Sequence, residues 1–332
     1  METGLDIANQ SGAAQASCTA DANQPGGAAQ ASCTVDPTQP GGAARASCTA
    51  DANQPGGAGM KRYKILDANA IKLIAIIAMT IDHIAWTIYP GCPLNWKPEL
   101  MHVIGRITMP TMCFFVAEGF FHTRNVRKYT ARMFLFALIS HFAYVSEWNG
   151  FGDWRPFVPL YYSGIWEAIR FRDMSFLNSA AWHSQTSVIW TLAWGLVMLR
   201  VEYSERIRSA WLKTLLICLI CVVSFPGDWS CTASVLVLSF GTNRGHWLKQ
   251  TLWLIFYVGT FGVLFMPNNL TYAFLQLSVV LAIPILALYN GKRGPNPAFN
   301  AFMKWFFYVY YPLHLLILGL LRSHGMLPTY YF

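Results

Sequence analysis

Apolar and polar positions alternate along this chain in long blocks. From residue 68 to the end, nine apolar segments follow one another, at roughly 68–89, 101–121, 128–147, 186–201, 210–226, 229–241, 247–266, 270–289 and 301–321. A membrane-spanning helix needs ~17–25 mostly apolar residues, and most of these segments reach that length. The fourth and sixth are short and are expected to be tilted, partial or re-entrant. The pattern predicts an all-α, polytopic integral membrane helical bundle of about nine spans, with eight to ten as the range.

Polar residues interrupt the first segment in a regular way. Asn69, Lys72, Ile76, Thr80, His83 and Thr87 recur at spacings of three or four, which places a mostly polar stripe on one helix face. A charged side chain at the bilayer centre costs about 2.5–3.5 kcal/mol on insertion scales. The stripe is therefore expected to face protein or a wet cavity, not lipid.

The first 59 residues are a different material. "DANQPGGAAQASCTV", "DPTQPGGAARASCTA" and "DANQPGGAG" follow in tandem, and Cys18, Cys33 and Cys48 keep the same spacing. The unit is rich in Gly, Pro, Ala, Gln and Ser and has almost nothing to bury, so residues 1–59 are expected to be a disordered tail. Met60, followed by Lys61, Arg62 and Lys64, reads as the natural start of an inner-membrane protein. Residues 60–332 are expected to form the transmembrane domain.

Composition agrees with the pattern. The chain has 332 residues, 54% of them hydrophobic and 12% charged, against about 25% charged in soluble domains. The net charge of +8 resides in loops, without the continuous basic patch that nucleic-acid binding needs. Basic loops precede the first segment and follow the second, fourth, sixth and eighth. By the positive-inside rule they are cytoplasmic, which puts the N-terminus in the cytoplasm and the C-terminus in the periplasm. Cys113, Cys218 and Cys221 lie in apolar surroundings. "CLIC" at 218–221 reads as helix packing, and no metal site is expected.

Candidate chemistry gathers near the outer ends of three spans. His83 lies ~20 Å along the first span. His102 and Arg106 begin the second, where Gly105 permits close helix approach and Pro110 is expected to kink the span. Tyr311 and His314 are three apart on the last, beside Pro312. A histidine at that depth suits proton transfer near neutral pH. Asp82 stands next in sequence to His83 but points about 100° away, so the helix neighbours of Lys72, Arg106 and His83 itself are all open to it as partners. Arg106 has a structural alternative, an ion pair with Asp82 or Glu118. Glu118 itself fits either a catalytic role or a place at the cytoplasmic end.

Four blocks carry a resemblance: "KLIAIIAMTIDHIAW", "IGRITMPTMCFFVAEGFFHTRNVRKYTARMFLFALIS", "DWS" at 228–230 and "FFYVYYPLHL". In order and spacing they resemble the TraX family, the F-pilin N-acetylases of conjugative plasmids, which are similar to the wider membrane acyltransferase superfamily. The resemblance covers residue 60 to the end. It implies acetyl transfer from cytoplasmic acetyl-CoA, as co-substrate, to the N-terminal amine of a pilin subunit on the outer face of the inner membrane, as part of pilus assembly. On that reading His83, Asp82, Arg106, Glu118, His314 and Tyr311 are the catalytic candidates. Arg124, Arg127, Lys128 and Arg132 are candidates for holding the CoA phosphates, with positive-inside topology as their other explanation. Trp182 and His183, in the long outer loop, are candidates for touching the acceptor. Other functions consistent with the same residues are acylation of a glycan or lipid, proton-coupled transport, and a non-enzymatic part in pilus assembly.

Overall fold

The computed structural model describes residues 64–90, 95–149, 170, 186–265 and 270–330. The chain divides into two units, 1–60 and 61–332, and all described residues belong to the second. The repeat at 1–59 and most of the 147–185 loop, including Trp182 and His183, lie outside them.

Among the described residues the secondary structure is helical, and the helices form nine rods. They are α1 (Ala68–Ile88); α2 (Trp96–Gly105) running into α3 (Thr108–His122); α4 (Val126–Asn149); α5 (Val188–Glu202); α6 (Ala210–Ser224); α7 (Ser230–Thr242); α8 (Trp247–Phe265); α9 (Leu270–Leu277), continued through a 3-10 turn at Ser278–Leu281 into α10 (Ala282–Ala287); and α11 (Pro297–Ser323). Their order and approximate bounds match the nine apolar segments. Four rods are long and apolar enough to cross a bilayer: α1, α2–α3, α9–α10 and α11. The helices α6 and α7 are shorter and apolar.

Local chemistry sets the boundaries. Asp67 caps α1 by accepting from the Ala70 amide at 2.8 Å. Asn296 accepts from the Ala298 and Phe299 amides, and Pro297 fills the first position of α11, where a missing N–H costs nothing. The second rod breaks between Gly105 and Thr108, not at Pro110 as the sequence suggested. Pro110 falls in the first turn of α3, where its amide would have had no helical partner.

The packing fixes relative direction. The helix α1 runs alongside α11, with Asn69 Nδ2 donating to Asn300 at 2.6 Å and Thr80 hydrogen-bonded to Tyr310 at 2.8 Å. The helix α4 also runs parallel to α11. The rings of Phe136 and Tyr308 stack at 4.7 Å, and Arg322 donates to the Glu147 carbonyl further along. Against these, α2–α3 runs the other way, since Thr108 meets Ala75 while His102 meets Asp82. The helices α5 and α7 share the direction of α3: Ser234 meets Thr191 while Tyr203 meets Gly241, and Cys113 meets Ala233 while Glu118 meets Arg244 just past the end of α7. So α1, α4 and α11 begin at one end of the bundle, here called the near end, and finish at the far end.

The polar stripe of α1 faces inward. Asn69, Thr80, His83 and Thr87 are all hydrogen-bonded to α4, α11 or their own helix. Outward faces carry large exposed apolar side chains, among them Ile77, Leu135, Leu252, Phe256, Phe302 and Val309. Exposed apolar surface on this scale suits a lipid solvent rather than water. This is an integral membrane protein.

Candidate active site

The far ends of α1, α4 and α11 bring three ionisable side chains together. His83 Nδ1 lies 3.1 Å from both carboxylate oxygens of Glu147. Both residues are buried. Thr87, one turn along, donates to the His83 carbonyl at 2.8 Å and approaches Glu147 at 3.5 Å. A neutral His83 donating its Nδ1–H to the carboxylate keeps a lone pair on Nε2. The His314 ring meets His83 edge-on at 5.1 Å and stacks on Tyr310 at 5.3 Å. Tyr311 stands edge-on to His83 at 6.4 Å.

A second histidine–carboxylate pair lies beside the first. Asp82 Oδ1 is 2.8 Å from His102 Nδ1, and Trp86 covers the His102 ring at 4.5 Å. The approach depends on Gly105, since a Cβ there would sit 2.2 Å from the Asp82 Cβ. Arg106 follows at the break between α2 and α3. Its guanidinium lies over Trp229 at 5.1 Å and Tyr272 at 5.6 Å, within electrostatic reach of Asp82 and Asp228.

Asp228 and Trp229 are presented by a strained turn. Trp229 and Ser230 adopt positive φ, 65° and 48°, a region that costs a non-glycine residue of order 1–3 kcal/mol. The turn is held from outside. Gly227 bridges to Thr186, the Asp228 amide donates to the Thr186 carbonyl at 2.8 Å, and Trp229 stacks on Phe261 at 5.5 Å. The Asp228 carboxylate accepts from the Trp229 amide at 3.0 Å.

These groups open on one cavity of about 760 Å³. Asp82, His83, Arg106, Asp228, Trp229 and Tyr311 line its far end. Arg124, Lys128, Arg132, Arg293 and Lys304 line its near end, and Lys72 lies between. The cavity therefore runs lengthwise through the bundle, from a basic mouth to His83, Asp82 and Asp228.

The structure sorts the sequence candidates. Asp82, His83, Arg106 and Tyr311 share the far end, and His314 packs behind His83. Glu118 does not join them. It lies twelve residues, ~18 Å, along the rod from Arg106 and makes a two-pronged ion pair with Arg244 at 2.9 and 3.1 Å. Of the four basic candidates, Arg124, Lys128 and Arg132 line the mouth, whereas Arg127 is exposed and does not. Glu147, Asp228, Arg293 and Lys304 were not singled out individually by the sequence, and Lys72 was read there only as part of the α1 stripe. "DWS" was the one signal that pointed at Asp228. A lone carboxylate closing the 128–147 apolar run was the available sign of Glu147.

The chain matches the family described as TraX protein over residues 67–322. It belongs to the TraX family. The matched range starts at the N-cap of α1 and ends in the last turn of α11, so it takes in the mouth and the far-end cluster and leaves out the repeat. The chain is also 28% identical over 269 residues to the probable fimbrial assembly protein FimC, serogroup H1, of Dichelobacter nodosus, covering 78% of this chain and 97% of that protein. An uncharacterized protein of Rickettsia prowazekii (strain Madrid E) is 41% identical over 59 residues, 18% of this chain and 21% of its own. No solved structure matches the chain.

Proposed function

We propose that this protein is a membrane-embedded N-acetyltransferase, which carries an acetyl group from cytoplasmic acetyl-CoA to the N-terminal amine of a pilin subunit on the outer face of the inner membrane. The observation that carries this reading is the lengthwise cavity. It joins a basic mouth to a buried His83–Glu147 pair, so a donor held at one side and an acceptor arriving at the other can meet. The family membership and the name of the fimbrial relative support a place in pilus assembly.

In this reading the near end is cytoplasmic, in keeping with its excess of Lys and Arg. Arg124, Lys128 and Arg132 hold the donor's phosphates by charge-assisted hydrogen bonds. His83 takes a proton from the attacking amine through Nε2, and Glu147 balances the charge that the imidazole gains. Arg106, held over two aromatic rings, faces the carbonyl oxygen as negative charge grows on it. A new bond joins the amine nitrogen to the acetyl carbon, the thioester C–S bond breaks, and the proton leaves with the thiol.

The test is the intact mass of candidate pilins from cells with and without the protein, beside transfer of labelled acetyl from acetyl-CoA in purified membranes. One added acetyl group on the pilin N-terminus, present only with the protein, is the expected result. Label on a glycan or lipid, with pilin mass unchanged, replaces the acceptor. No transfer to any acceptor replaces the enzyme with a transporter or assembly factor.

A further inference from the structure

The near half of the cavity holds more positive charge than its surroundings balance. Arg124, Lys128, Arg132, Arg293, Lys304 and, deeper, Lys72 all line it. Among the described residues none of the six is in an ion pair. The carboxylate lining that half, Glu118, is already committed to Arg244.

The cations are held there by structure. Arg293 sits on the segment between α10 and α11. That segment is clasped to the chain before α1 by three backbone hydrogen bonds: Leu66 to Leu288 at 3.0 Å, Asn290 to Leu66 at 2.9 Å and Ala68 to Lys292 at 2.9 Å. Gly294, at φ 144°, turns the chain there, and Asn300 donates to its carbonyl at 3.0 Å. Lys304 follows on α11, within electrostatic reach of both Arg132 and Arg293. The Arg132 guanidinium lies between the rings of Tyr129 and Tyr308, at 5.5 and 5.4 Å, and its Nε is buried without a hydrogen-bond partner. Like charges held close together at the mouth repel one another, and an anion bound among them relieves that repulsion.

Beyond this cluster the passage changes character. Lys72 lies over the rings of Phe115 and Phe307, at 4.9 and 5.3 Å. Past it the walls are Ile76, Met79, Met109 and Met112 as far as His83. His83 is eleven residues, ~16 Å, further along α1. An apolar passage of that length admits a thin, uncharged tail and rejects a second phosphate group.

We propose that Arg132, Arg293 and Lys304 form a phosphate clamp, with Lys72 as its inner cation. The ligand it fits carries several phosphates on a nucleotide end and a long, thin, neutral tail reaching toward His83. This deepens the acetyl-CoA reading and rests on it. It assigns recognition of the nucleotide end to Arg293 and Lys304.

The test measures binding to the purified full chain in nanodiscs, with CoA and adenosine 3′,5′-bisphosphate as probes. R293Q and K304Q are compared with wild type, with R127Q as a control because Arg127 is exposed outside the cavity. A charge-assisted hydrogen bond contributes about 1.5–3 kcal/mol, so each clamp variant is expected to weaken both probes about tenfold or more, with R127Q unchanged. Wild-type binding is expected to fall with added salt. The clamp is overturned if R293Q and K304Q bind like R127Q, or if wild type binds neither probe. A lipid headgroup could supply the same phosphate chemistry. Nanodiscs with and without phosphatidylglycerol distinguish it. If phosphatidylglycerol blocks CoA, and stabilises the protein only while Arg293 and Lys304 are present, the cluster is a lipid site and the clamp assignment falls. Clamp-dependent CoA binding with pilin mass unchanged leaves the clamp standing and removes the acetyltransferase reading. Pilin acetylation with unaltered binding in both variants does the reverse.

Discussion

His83 and Glu147, 64 residues apart in the chain, meet at 3.1 Å at the far ends of two parallel helices. A buried carboxylate on Nδ1 fixes the tautomer and orientation of the ring and leaves Nε2 to work. Replacing His83 with Gln is expected to lower acetyl transfer about 100- to 10,000-fold, the usual range for general-base catalysis. Glu147→Gln is expected to cost less, about 10- to 100-fold, by analogy with the carboxylate partners of metal-binding histidines. Membrane abundance measured in parallel separates lost chemistry from lost protein. Normal transfer by an abundant His83→Gln variant removes the base assignment.

Gly105 is where α2 touches α1. Its Cβ would fall 2.2 Å from the Asp82 Cβ and 2.6 Å from Oδ1. Gly105→Ala is expected to destabilise the bundle by ~1–3 kcal/mol, as overpacking does, and to disturb the Asp82–His102 pair. A thermal-shift measurement in detergent checks this. An unchanged midpoint means that the two helices part without cost.

The strained turn at Trp229 aims Asp228 into the cavity. Asp228→Asn keeps the side-chain oxygen that accepts from the Trp229 amide but removes a charge within reach of Arg106 and His83. Transfer is expected to fall while folding is kept. Equal activity of the variant and wild type in a single-turnover assay shows that the charge has no part in the reaction.

Arg244 and Glu118 form the opposite case. The pair is partly exposed at the near end, where such bridges contribute about 0–1 kcal/mol. Arg244→Ala is expected to leave stability close to wild type and to lower transfer only modestly, as the freed Glu118 carboxylate meets the cations of the mouth. A large loss of transfer restores Glu118 to the site.

The helix directions bear on topology. Cysteines placed at Asn125 and at Gly325 are expected to label from opposite sides of the membrane, with Gly325 reached from outside the intact cell. Labelling of both from one side contradicts the direction of α11.

The order of the rods was legible because each is an apolar run between basic or glycine-rich breaks. The inward stripe of α1 was legible because its spacing of three and four residues survives in a single sequence. Glu147 was not, because nothing in the segment 128–147 says which helix it packs against. The partnership exists only once α1 and α4 lie parallel. Arg293 looked like ordinary cytoplasmic charge, since positive-inside bias and a binding mouth produce the same loop composition, and Lys304 was hidden inside the last apolar segment. The break at Gly105 was hidden by Pro110, whose usual meaning in a helix interior is lost in a first turn. Glu118 drew attention as a carboxylate near membrane depth, and the arginine that neutralises it lies 126 residues later.

The clasp between Leu66 and Leu288 and the contacts of Tyr311 and His314 have a shared consequence for synthesis. Both ends of the passage are finished by the last helix and the segment before it. A ribosome that stops short of α11 leaves a chain whose mouth lacks Lys304 and whose far end lacks Tyr311. Such a fragment encloses neither the mouth nor His83. The cavity is therefore walled at both ends only in a finished chain.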